Sequence, residues 1–133
     1  MRVLIAEDDF ASRKYMLRML SQYGNCDVTV DGEEAVEAFS LALEDNEPYD
    51  LVCLDIMMPV KDGYEVLAQI RQIEKMFHVT EEKKTKVIMT SALHEAKNVM
   101  KAFELGCESY AGKPIDEIKL INAIKKLGIV IGV

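Results

Sequence analysis

No stretch of this chain could cross a bilayer as a helix, because no apolar run approaches the ~20 residues that a hydrocarbon core demands. Basic residues are in deficit: 16 lysines and arginines face 23 aspartates and glutamates, a net charge of -7. Sequence-independent binding to nucleic acid needs a cationic surface, and this balance disfavours it. Cysteine is scarce as well. Cys26, Cys53 and Cys107 are odd in number and irregular in spacing, which argues against a disulfide framework or a zinc site. Reduced, buried thiols of a cytoplasmic protein fit better. His78 and His94 have no context that would pair them with a cysteine nucleophile, and both read as solvated. The N-terminal MRVLIAEDD turns acidic too early for a secretory signal. No internal repeat, low-complexity tract or linker interrupts the 133 residues, so they read as a single domain, 1–133, large enough to bury a core.

What is present is an alternation of strand and helix patterns. Apolar runs rich in strand formers occur at residues 2–6, 26–30, 51–54 with Ile56 beyond, 86–89 and 108–111. Between and after them, helical spacing of apolar residues predicts helices over residues 10–23, 33–43, 64–77, 94–105 and 115–127. In the first of these Phe10 counts among the apolar positions, and in the last Ile118, Ile121, Ile124 and Leu127 are expected to face inward. The polar stretch from His78 to Lys84 reads as an exposed loop or a frayed end of the third helix. Five βα units in succession imply an α/β fold, a five-stranded parallel sheet with helices on both faces.

In such a sheet the carboxyl ends of all strands open on one side, where α/β folds place their chemistry. The groups delivered there are Glu7, Asp8 and Asp9 after the first strand, Asp55 at the end of the central strand, Thr90 and Ser91 after the fourth, and Lys113 after the fifth. Several carboxylates in one crevice repel one another unless a cation joins them. Mg2+ suits an all-oxygen donor set and keeps some of its waters. Asp8, Asp55 and the backbone carbonyl of Met57 would bind it directly, Glu7 through water. Asp55 then reads as a nucleophile toward phosphorus, with Lys113 supplying positive charge and Thr90 or Ser91 a hydroxyl donor. The plainer readings are that Asp9 serves the first helix dipole, that Ser91 caps the fourth helix, and that Tyr110 is half-buried packing.

The pair Glu7-Asp8, the segment DIMMPVKDG around Asp55, Thr90-Ser91, and Tyr110 followed by Lys113-Pro114 together resemble the receiver domain of bacterial response regulators, over essentially the whole chain. The resemblance implies a flavodoxin-like (βα)5 three-layer sandwich with strand order 2-1-3-4-5. It implies Mg2+-dependent phosphotransfer to Asp55 from a phosphohistidine on a sensor histidine kinase or a histidine phosphotransfer protein. Catalysis would be limited to the domain's own phosphorylation and slow dephosphorylation. It also implies a switch: Thr90 moves toward the phosphoryl group, Tyr110 turns inward, and the face of the fourth helix, fifth strand and fifth helix changes shape. Without an output domain, signalling would run through binding of a downstream protein by a monomer or a phosphorylation-dependent dimer. Lys97, Lys101, Glu104, Lys119 and Lys126 are candidates for that recognition face. The segment from Met76 to Thr85 is longer than the family's usual connection and could be a lengthened helix or a partner surface.

Three rival functions suit the same fold class. A flavin or nucleotide binder needs a Gly- or Ser/Thr-rich loop after the first strand, where this chain has Glu-Asp-Asp. An aspartate-nucleophile phosphatase would carry Asp-x-Asp there, a spacing that Glu7-Asp8-Asp9 lacks. A docking module independent of phosphate would have no use for the acidic pair, Asp55, Thr90 and Lys113 together.

Overall fold

The computed structural model describes residues 1–92 and 99–131. Strands β1 (Arg2–Ala6), β2 (Asn25–Thr29), β3 (Leu51–Asp55), β4 (Lys86–Ala92) and β5 (Ser109–Lys113) alternate with helices α1 (Phe10–Leu20), α2 (Gly32–Glu44), α3 (Gly63–Met76), α4 (Val99–Glu104) and α5 (Glu117–Lys126). The strands form one parallel sheet in the order β2-β1-β3-β4-β5. This is the flavodoxin-like arrangement expected from the motifs. Among the described residues no helix is long and apolar enough to cross a membrane.

Each of four strand-to-helix junctions carries an aspartate for the same reason. Asp9, Asp31, Asp62 and Asp116 sit in extended backbone and accept a hydrogen bond from the N–H three residues on, which satisfies a donor the new helix leaves free. The central strands are buried on both faces, so their sequences are continuous apolar runs. One face carries Leu4, Val52, Leu54, Val87 and Met89 against α2, α3 and α4, through Phe39, Leu67, Ile70 and Ala102. The other carries Val3, Ile5, Leu51, Cys53 and Ile88 against α1 and α5, through Met16, Leu20, Leu120 and Ile124.

Some expectations shift at this level. Helix α1 ends at Leu20, not Tyr23, and α5 starts at Glu117 behind its Asp116 cap, not at Ile115. Ile118 is exposed, not inward, because the buried arc of α5 is Leu120, Ile121 and Ile124, and steps of three residues drift off that arc. Phe10 is likewise exposed at the start of α1. The expected start of the fourth helix, with His94 and Lys97, lies outside the described residues.

Candidate functional site

Alternation along the strands decides which side chains meet. Asp55 follows Leu51 and Cys53 on the α1/α5 side, Thr90 follows Ile88, and Glu7 continues the positions of Val3 and Ile5. In the sheet register Asp55 lies directly beside Thr90. The three converge with Lys113, the last residue of β5, whose peptide bond to Pro114 is cis. Lys113 Nζ is 2.5 Å from Glu7 Oε1 and 3.3 Å from Asp55 Oδ1. Carboxylate oxygens of Glu7, Asp8 and Asp55 lie within 4.8 Å of one another, with Glu7 and Asp55 buried and Asp8 open to solvent. Beside them a pocket of about 300 Å³ is lined by Thr90, Lys113, Pro114 and Ile115 and by Ser12, Tyr15 and Met16 of α1.

Close backbone approach completes the crevice. A side chain at Gly63 would put its Cβ 2.5 Å from the carbonyl oxygen of Asp55, and one at Gly32 would put it 2.0 Å from that of Lys61. Glycine at these two sites lets the starts of α3 and α2 close onto the loop after β3. Gly63 N–H donates to Ile56 O (2.7 Å) and Ile56 N–H to Thr90 O (3.0 Å).

The electrostatics are those of a crowded site. Burial pushes the Asp55 carboxyl up, the Glu7 hydrogen bond and charge add to it, and Lys113 offsets only part, leaving Asp55 at about 7. Burial pulls the Lys113 ammonium down, but its contacts with Glu7 and Asp55 outweigh that and hold it above the usual lysine value. Glu7 is fixed at both oxygens, since Asp9 N–H donates to Oε2 at 3.2 Å while Lys113 holds Oε1. Three carboxylates forming an all-oxygen donor set, one of them raised by burial and by its acidic neighbour, fit a hard divalent cation such as Mg2+.

The structure therefore brings together Glu7, Asp8, Asp55, Thr90 and Lys113. Asp9 is not in the cluster; it caps α1 through Ser12 N–H, as its plainer reading has it. Met57 follows Asp55 closely in the loop, with its side chain exposed. Tyr110 stands on the opposite sheet face, packed beside the α2/α3/α4 core, and its hydroxyl lies 2.5 Å from Ser91 Oγ. The expected capping role of Ser91 is thereby corrected: it is buried inside β4, one residue past Thr90, and faces Tyr110. That partner follows from register, since Met89 pairs with Tyr110 and Ser91 points to the same face. Lys101, Glu104, Lys119 and Lys126 are exposed, with Lys101 Nζ 4.4 Å from the centre of the Tyr64 ring.

The family model of the response regulator receiver domain matches residues 3–125. The chain belongs to this family. It is 34% identical over 125 residues to a probable transcriptional regulator, ycf29, of Porphyra purpurea, covering 94% of this chain and 54% of that protein. It is 35% identical over 126 residues to the transcriptional regulatory protein ResD of Bacillus subtilis, covering 95% of this chain and 47% of that one. The chain thus spans about half the length of these curated relatives. Among solved structures, a chain of the CheX–CheY–BeF3–Mg2+ complex from Borrelia burgdorferi superposes with a TM-score of 0.82 at 27% identity, covering 98% of this chain and 90% of that chain. Receiver domains occur in two-component response regulators and in histidine kinases.

Proposed function

We propose that Asp55 of this receiver domain accepts a phosphoryl group from the phosphohistidine of a sensor histidine kinase or histidine phosphotransfer protein. The observation that carries this reading is the 3.3 Å approach of the Lys113 ammonium to the Asp55 carboxylate, in a crevice where Glu7 and Asp8 crowd the same point. Glu7, Asp8, Asp55 and the backbone carbonyl of Met57 would hold Mg2+, which when bound supplies positive charge to the phosphoryl oxygens.

The remaining work belongs to the protein's own groups. Ionised Asp55 attacks phosphorus in line; its O–P bond forms as the P–N bond to the donor imidazole breaks, and that electron pair stays on the imidazole nitrogen. Lys113 stands within reach of the incoming oxygens and exchanges part of its contact with Asp55 for them. Thr90, beside Asp55 in the register, donates its hydroxyl to a phosphoryl oxygen. Movement of Thr90 displaces its neighbour Ser91, the hydrogen-bond partner of Tyr110, and so couples the site to Tyr110 on the far sheet face. The face of α4, β5 and α5 then binds a downstream protein or a second phosphorylated copy.

Incubation with acetyl phosphate tests this by intact mass. With Mg2+ the chain gains one phosphoryl group, whereas with EDTA, or with Asp55→Ala, it gains none. Equal labelling of Asp55→Ala would reject Asp55 as the acceptor.

A further inference from the structure

The turn from β1 into α1 leaves two carbonyl groups outside both ladders. Glu7 still belongs to the sheet through its N–H, which donates to Thr29 O at 3.2 Å. Helical bonding starts only with Arg13 N–H donating to Asp9 O at 2.9 Å. The carbonyls of Glu7 and Asp8 fall between, and one side-chain nitrogen serves both: Arg13 Nη1 donates to Glu7 O at 3.0 Å and to Asp8 O at 3.2 Å. That nitrogen carries two hydrogens, one for each oxygen. The guanidinium is half-buried and sits 5.5 Å from the centre of the Phe10 ring. Its hydrogen bonds are thus with main-chain oxygens of the acidic pair.

We infer that Arg13 is a positioning residue for the cation site. By clamping the backbone of Glu7 and Asp8, it orients their carboxylates toward Asp55, one step removed from the ligand atoms. The inference rests on reading the crevice as a Mg2+ site. Charge and geometry make opposite predictions here. As a bare positive charge, Arg13 repels a divalent cation, and removing it tightens binding. As a clamp, it preorganises the ligands, and removing it weakens binding.

Isothermal titration with Mg2+ on the full chain separates the two. Arg13→Met should bind Mg2+ about tenfold more weakly, and Arg13→Lys, which keeps the charge and hydrogen-bond donors, should recover most of the loss. In EDTA the amide resonances of residues 7–10 should shift in Arg13→Met, while its unfolding temperature falls by no more than about 4 °C. Unchanged or tighter Mg2+ binding by Arg13→Met overturns the inference. So does a large fall in unfolding temperature shared by Arg13→Lys, which marks a merely structural role. Asp8→Asn keeps the two questions apart: if it binds Mg2+ as well as wild type, or if wild type binds none, the cation-site reading fails and not the clamp alone.

Discussion

Asp55 is caught between two neighbours of opposite charge, and burial together with Glu7 outweighs Lys113 in favouring its neutral form. Its carboxyl is raised from 3.8 to about 7, by burial first and by Glu7 second. A raised carboxyl contributes stability that is complete below its unfolded value and is lost as pH climbs through the folded one. For this residue the window runs from about pH 4 to about pH 7. Replacing Asp55 with Asn removes the titration. In EDTA, the unfolding temperature of Asp55→Asn should exceed that of wild type by a margin that widens from pH 5 to pH 8. Added Mg2+ should narrow the margin at pH 8. A margin that stays flat across this range would mean that the fold does not raise the Asp55 carboxyl. At this scale the meeting of Glu7, Asp8, Asp55 and Lys113 was legible, because groups at the carboxyl ends of parallel strands share one edge of the sheet. The contacts of Ser91 and Arg13 were not. They depend on which sheet face a residue takes and on how a side chain folds back over a turn, and neither is visible in residue spacing.

Two connecting elements carry energetic features of their own. In the loop after β3, Val60 has φ of 70° and Lys61 N–H reaches back to Pro59 O at 2.8 Å, a three-residue γ-turn around a β-branched residue. Left-handed backbone is costly for such a residue, and the exposed Val60 side chain gains little burial in return. Val60→Gly should therefore raise stability by about 1 kcal/mol in denaturant titration; a destabilised variant would show that the turn is unstrained. The longer connection between α3 and β4 is tied inward by Arg71. The guanidinium donates to Gly106 O (2.7 Å from Nη2), Thr85 O (2.9 Å), Glu74 (2.7 Å) and both oxygens of Glu108 (2.8 and 2.9 Å). The two acids in turn accept from main-chain donors: Glu74 from Thr85 N–H at 2.7 Å, Glu108 from Val87 N–H at 2.6 Å. Arg71→Met would strand two largely buried carboxylates and should cost about 3 kcal/mol in unfolding free energy. A loss under about 1 kcal/mol would show that water or Lys84 replaces the guanidinium. The polar composition from His78 to Lys84 pointed to an exposed loop or a frayed end of the third helix and not to its anchor, since Arg71 lies inside α3, 14 residues before the Thr85 it holds.

Across the whole molecule, the order of strands and helices was readable because buried parallel strands and amphipathic helices write different periodicities. Strand order was not readable from those periodicities; it came with the motifs around Asp55 and Lys113. Helix ends moved where a cap, such as Asp116, overrode the apolar pattern. The convergence of β1, β3, β4 and β5 on one edge is what gathers scattered residues into one acidic crevice. The most direct measurement is chemical mapping of the acceptor. After Mg2+-dependent reaction with acetyl phosphate, borohydride reduces an aspartyl phosphate to homoserine, which peptide mass spectrometry locates. Homoserine is expected at position 55 and nowhere else. Homoserine at another acid, or a phosphoryl group that resists reduction and maps to a histidine or a hydroxyl, would contradict that expectation.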